Sequence, residues 1–136
     1  MLWHTKYETG NEQVDNEHKE IFKLAQKVID AAFENKEEEI ETTVNFLANY
    51  TVSHFKHEEQ LMKESAYPEK DIHKKQHSDF VQDVTALIER VVNEPDSKKN
   101  SVDINNVIVN WLTEHVLGSD KLMATHYREW SASRVS

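Results

Sequence analysis

Residues 37–65 read EEEIETTVNFLANYTVSHFKHEEQLMKES, and the spacing inside this stretch decides the fold. Ile40, Val44, Leu47, Thr51, His54, Glu58 and Leu61 follow one another in alternating steps of four and three, the signature of one face of an α-helix. The pattern predicts a helix over the whole stretch. Its stripe is apolar in its first half, but carries an imidazole and a carboxylate, His54 and Glu58, where core residues are expected.

The same period extends to both sides. A first helix is expected from about Gln13 to Asn35, with Val14, Ile21, Ala25, Val28 and Ala32 inward and His18 on the same stripe. Tyr67-Pro68 makes a turn, because proline disfavours helix in the residue before it and suits the start of the next. A third helix runs to about Asn93 on the stripe His73, His77, Phe80, Val84, Leu87 and Val91. The segment from Asn93 to Asn100, with Pro95 and Asp96, reads as a polar loop. A fourth helix is expected from a cap at Ser101, with Ile104, Ile108, Trp111, His115 and Leu122 inward. Only two Gly and two Pro argue against a turn-rich β fold. The expectation is an all-α protein, one domain over residues 1–136, folded as an antiparallel up-down-up-down four-helix bundle.

In such a bundle the start of helix one, the end of helix two, the start of helix three and the end of helix four lie at one end. His18, His54 with Glu58, His73 with His77, and His115 with Asp120 occupy those four places. Seven nitrogen and oxygen donors thus converge. They are too many for one tetrahedral zinc and suit two transition-metal ions sharing carboxylates, so a buried di-iron site is expected. Without a metal, burying them would cost several kcal/mol per unpaired charge. The pairs His54/Glu58 and His73/His77 are i,i+4 neighbours, about 6 Å apart on one helix face. His115 and Asp120 are five apart, roughly 140° round a regular helix. Either the helix is loosened there, which Gly118 permits, or the aspartate reaches round. His4, His57 and His126 fall outside the set and read as surface histidines. Ile21, Phe55, Trp111 and Leu112 read first as core packing and second as walls of a ligand pocket.

Composition narrows the function. There are no cysteines, which excludes disulfides, iron–sulfur clusters and thiolate zinc sites. A net charge of −9 with no basic run opposes nucleic acid and anionic lipid as partners. No stretch approaches the roughly 18 apolar residues of a membrane span, and Met1–Gly10 lacks the apolar core of a secretory signal, so a cytoplasmic protein is expected. His73-Lys74-Lys75-Gln76-His77 lacks the glutamate of a HExxH zinc hydrolase.

His18, the HxxxE of His54 to Glu58, the HxxxH of His73 to His77 and the HxxxxD of His115 to Asp120 together resemble the hemerythrin signature, at family spacing and over nearly the whole chain. Val14-Asp15 ahead of His18, the run HFKHEEQLM from His54, Tyr67-Pro68, and Trp111 ahead of His115 add to the likeness. The resemblance is to bacterial hemerythrins. It implies a non-enzymatic protein that binds dioxygen reversibly, as carrier, store or delivery agent, at two iron ions with an oxo or hydroxo bridge. By that analogy one iron takes His73, His77 and His115 and the other His18 and His54. Glu58 and Asp120 bridge them, and dioxygen binds at the open position of the second iron, in a pocket lined by Ile21, Phe55, Trp111 and Leu112. The same site in an oxygen- or redox-sensing domain, with a fused or separate signalling partner, is the alternative. A ferritin-like di-iron oxidase fits less well, because ExxH pairs are absent from the stripes and the donor set is histidine-rich.

Overall fold

The computed structural model describes residues 3–34, 36–94 and 97–135. Every regular element among them is helical. Helix α1 spans Glu12–Phe33, α2 Glu37–Glu64 and α3 Lys70–Asn93, and the fourth element, α4, runs over residues 97–135. Asn35, at the expected end of the first helix, and Pro95-Asp96 of the expected loop lie outside the described residues. Helix α1 packs against α2 and α4, and α3 packs against the same two, which closes a four-helix bundle.

Local chemistry explains where the helices begin and end. The Asn11 side-chain oxygen caps α1 by accepting the Val14 N–H at 3.1 Å. After α2, Ala66 adopts φ of 52°, and the Tyr67 N–H donates to the Met62 carbonyl, the six-to-one bond of a helix-terminating turn. That turn reverses the chain just before Pro68. The stripes of α1, α2 and α3 are buried at every position anticipated from the sequence.

Helix α4 departs from expectation in two ways. It begins at Ser97, not at a Ser101 cap. Polar residues that read as loop form its first turns, because α3 satisfies them. Arg90 donates to the Asn100 side-chain oxygen at 3.1 Å and pairs with Asp103, while the Asn100 amide donates to the Glu94 carbonyl at 3.2 Å. The second departure is internal. The helix is α-helical over Ser97–Ile104, Asn110–His115 and Lys121–Val135, with π-helical turns at Asn105–Val109 and Val116–Asp120 between them. Each π turn inserts a residue and rotates all that follows. Leu122, expected inside, is therefore 61% exposed, and Met123 and Ala124 are buried instead.

A short 3-10 turn at Thr5–Tyr7 precedes the bundle and packs against the second π turn. It is held from two sides. Tyr7 and Trp3 pack with Phe22 of α1, the Tyr7 and Phe22 rings 5.3 Å apart. Buried Asp15 accepts both the N–H and the hydroxyl of Thr9, at 2.8 and 2.7 Å. These contacts brace the end of the bundle where the buried polar residues collect.

Candidate metal centre

All seven anticipated donor residues meet at one end of the bundle, each at most 7% exposed. The distance from His115 to Asp120 is bridged by the π turn. An i→i+5 repeat brings residues five apart onto one face, so the helix is loosened and the aspartate does not have to reach round. A Cβ on Gly118 would meet nothing within 4 Å, so the turn does not depend on clearance at that glycine.

The donors fall into two groups that share two members. Glu58, His73, His77, His115 and Asp120 form one compact set, and His18, His54, Glu58 and Asp120 the other, with the atoms of each set within 4.8 Å of one another. The sharing is divided by oxygen atom. Glu58 Oε1 lies 3.1 Å from His77 Nε2 and Asp120 Oδ1 lies 3.0 Å from both His73 Nε2 and His115 Nε2. Glu58 Oε2 lies 3.3 Å from His54 Nε2, and Asp120 Oδ2 lies 3.0 Å from His18 Nε2. Each carboxylate therefore spans the two groups.

Two observations test whether a metal fits. His18 Nε2, His54 Nε2, both Glu58 oxygens and Asp120 Oδ1 are buried without a hydrogen-bond partner, although they sit near one another. Second, His115 Nε2 lies 3.1 Å from His73 Nε2 and 3.2 Å from His77 Nε2. Donors at right angles on bonds of about 2.1 Å stand roughly 3 Å apart, so the spacing suits one ion enclosed by nitrogen and oxygen. A metal fits both groups.

Outer partners fix two of the imidazoles. Glu17 Oε1 lies 2.7 Å from His54 Nδ1 and 2.9 Å from His57 Nδ1, and Glu59 Oε2 lies 3.1 Å from His77 Nδ1. A carboxylate on Nδ1 sets the tautomer and turns Nε2 toward the centre. Nothing in the sequence pattern singles out Glu17 and Glu59 beyond adjacency, each being next in sequence to a donor. His57, expected on the surface, is half-buried because it holds Glu17. His126, also expected on the surface, is half-buried and donates from Nε2 to the Ser65 carbonyl at 2.8 Å. His4 is exposed, and its Nδ1 accepts the Lys6 N–H.

Of the four anticipated pocket residues, two touch donor rings. Phe55 stacks on His77 with ring centres 3.8 Å apart, and Trp111 stacks on His115 at 4.3 Å. Trp111 lies on the three-histidine side, whereas Phe55 also borders His54 of the other group, ring centres 6.0 Å apart. Phe80 stacks on Trp111 in turn, at 4.1 Å. Ile21 and Leu112 are buried in the main apolar cluster, one helical turn from His18 and His115.

Electrostatics point the same way. Burial opposes charge on His54 and His73, yet the facing Glu58 and Asp120, with Glu17 for His54, push His54 up to about 10 and His73 up to about 9. Against the same burial, the surrounding imidazoles hold Glu58 and Asp120 well below the usual carboxylate range. The centre is built to keep two carboxylates ionised beside positive charge.

A four-helix bundle with two donor groups joined by two shared carboxylates has the architecture of a protein that could hold a pair of metal ions. Residues 9–127 match the family model for the hemerythrin HHE cation binding domain, and the chain belongs to the hemerythrin family. It is 26% identical to a bacteriohemerythrin of Clostridium acetobutylicum over 125 residues, covering 89% of this chain and 96% of the relative. It is 31% identical to a myohemerythrin of Theromyzon tessulatum, covering 87% and 86%, and 32% identical to a bacteriohemerythrin of Methylococcus capsulatus, covering 79% and 81%. A solved mutant structure superposes with a TM-score of 0.80 at 25% identity, covering 93% of this chain and 96% of that one. The family binds two irons. No described helix is long and apolar enough to cross a membrane.

Proposed function

We propose that this chain binds dioxygen reversibly at a di-iron centre held by His18, His54, Glu58, His73, His77, His115 and Asp120, and that it is not an enzyme. The observation that carries the reading is the division of oxygens in Glu58 and Asp120, one toward each histidine group. When bound, two ferrous ions supply the two electrons and the coordination position that capture of dioxygen needs.

The residues do the rest. Three imidazoles with two carboxylate oxygens fill one position more completely than two imidazoles with two oxygens fill the other. The His18/His54 side is the less saturated, and a small ligand is expected there. Ile21, Phe55, Trp111 and Leu112 carry no acid or base that could protonate a bound ligand and commit it to onward chemistry. Apolar packing around the centre also excludes water and anions, which favours release of the ligand unchanged. A histidine-rich set with two carboxylates differs in the same direction from the carboxylate-rich centres that oxidise substrates.

The test is to load the protein with ferrous iron under nitrogen, count iron per chain, and cycle between air and nitrogen while recording visible absorbance. Two irons and a band that appears and disappears with oxygen are expected. A colour that forms once and never reverses would sink the proposal.

A further inference from the structure

Helices α2 and α3 leave a narrow apolar cavity of about 40 Å³ between them, away from the seven donors. Its floor is Leu47, Thr51, Phe80 and Val84, all buried, and its mouth is flanked by the exposed Ala48, Val52, Val81 and Thr85. The size is too small for an organic substrate and sufficient for a diatomic gas. The lining decides between gas and water. A buried water typically requires two to four polar partners. Thr85 spends its hydroxyl on the Val81 carbonyl at 2.7 Å, which leaves Thr51 Oγ1 as an unpartnered hydroxyl in the wall. One such atom does not hold a water, and the cavity favours an apolar occupant.

Its position gives the cavity a use. Thr51 precedes Phe55 by four residues on α2, hence lies directly beneath it on one helix face. Phe80, on the floor, meets Phe55 edge-on at 6.2 Å and stacks on Trp111. Those two rings are the ones that stack on His77 and His115. A gas molecule in the cavity is thus separated from the donor centre by a single layer of aromatic side chains. Passage then needs only a transient tilt of buried rings, whereas an open channel would admit water.

We propose that this cavity is a binding station for a small apolar gas, on the path of dioxygen between solvent and the metal centre. The path rests on the reversible-binding reading above; the gas site itself does not. Xenon is the probe. Crystals of the iron-loaded protein under xenon pressure should show the atom between Thr51 and Val84. Ala48→Leu, at the exposed mouth, and Val84→Phe, which fills the floor, should each abolish that xenon. Both variants should slow oxygen association and release together by about tenfold, the effect of roughly 1.4 kcal/mol of added barrier. Affinity should not change, since a gate alters both directions equally. A wild-type cavity without xenon overturns the gas site, and a variant that loses xenon while both rates stay as in the wild type overturns the path. If the wild type holds xenon there but never releases oxygen, the gas site stands and the proposed function falls.

Discussion

Glu58 and Asp120 each carry two oxygens that face different histidines, and most of the centre follows from that arrangement. The imidazoles must be aimed as well as present, and for His54 the aiming falls to Glu17, only partly exposed and 2.7 Å from Nδ1. Glu17→Gln keeps the shape and removes the charge. Outer partners of this kind are worth about 10–100-fold in metal affinity, and a loss of that order is expected in competition with a chelator. His4→Ala, at an exposed site distant in role, should leave the affinity unchanged. Equal losses in both variants would deny Glu17 its role. Six of the seven residues that meet at the centre were legible because each stands where a periodic apolar stripe demands a hydrophobic residue, and Asp120, off the stripe, was legible only through its spacing from His115. Glu17, Glu59 and His57 were not, because a charged side chain beside the stripe looks the same whether it meets water or an imidazole on another helix.

Periodicity exposes elements well as long as the period is constant. It was constant through α1, α2 and α3, and every inward position read from the sequence is buried. In α4 the two π turns change the period without any sequence mark, so the stripe could be followed to His115 but not to Leu122. The single clue was functional. His115 and Asp120 suit one centre only if the helix between them is widened. What maintains the widened turn is the burial of Val116 and Asp120 on one side and the packing of the Thr5–Tyr7 turn on another, since nothing crowds Gly118. Gly118→Ala should therefore retain both irons. It should also raise stability by about 0.5–1 kcal/mol, the usual gain of alanine over glycine inside a helix, as read by thermal unfolding of the metal-free protein. Loss of iron in this variant would show that the turn requires the glycine after all.

At the scale of the whole molecule, the centre trades protons for metal. Without metal, the raised values of His54 and His73, about 10 and about 9, mean that the folded chain holds their protons more tightly than the unfolded one, where 6.5 is ordinary. Their contribution to the stability of the apoprotein is complete below pH 6.5 and is lost as pH climbs through 9 to 10. The depressed Glu58 and Asp120 contribute in the opposite sense, with stability present above the ordinary carboxylate range and lost on acidification. Metal binding needs neutral imidazole, so loading at pH 7 should expel protons from His54 and His73, with a further contribution from His18, which Asp120 and Glu58 also raise against burial, readable with a pH indicator in weak buffer. No release would mean that the apoprotein is already deprotonated there. The measurement closest to the central claim is gas uptake. The ferrous protein, with its iron counted, is equilibrated with oxygen in a closed cell and then evacuated, and the gas taken up and returned is measured. One dioxygen for every two irons, recovered intact over repeated cycles, is the expected result. Oxygen consumed and not returned, or uptake unrelated to the number of iron pairs, would contradict it.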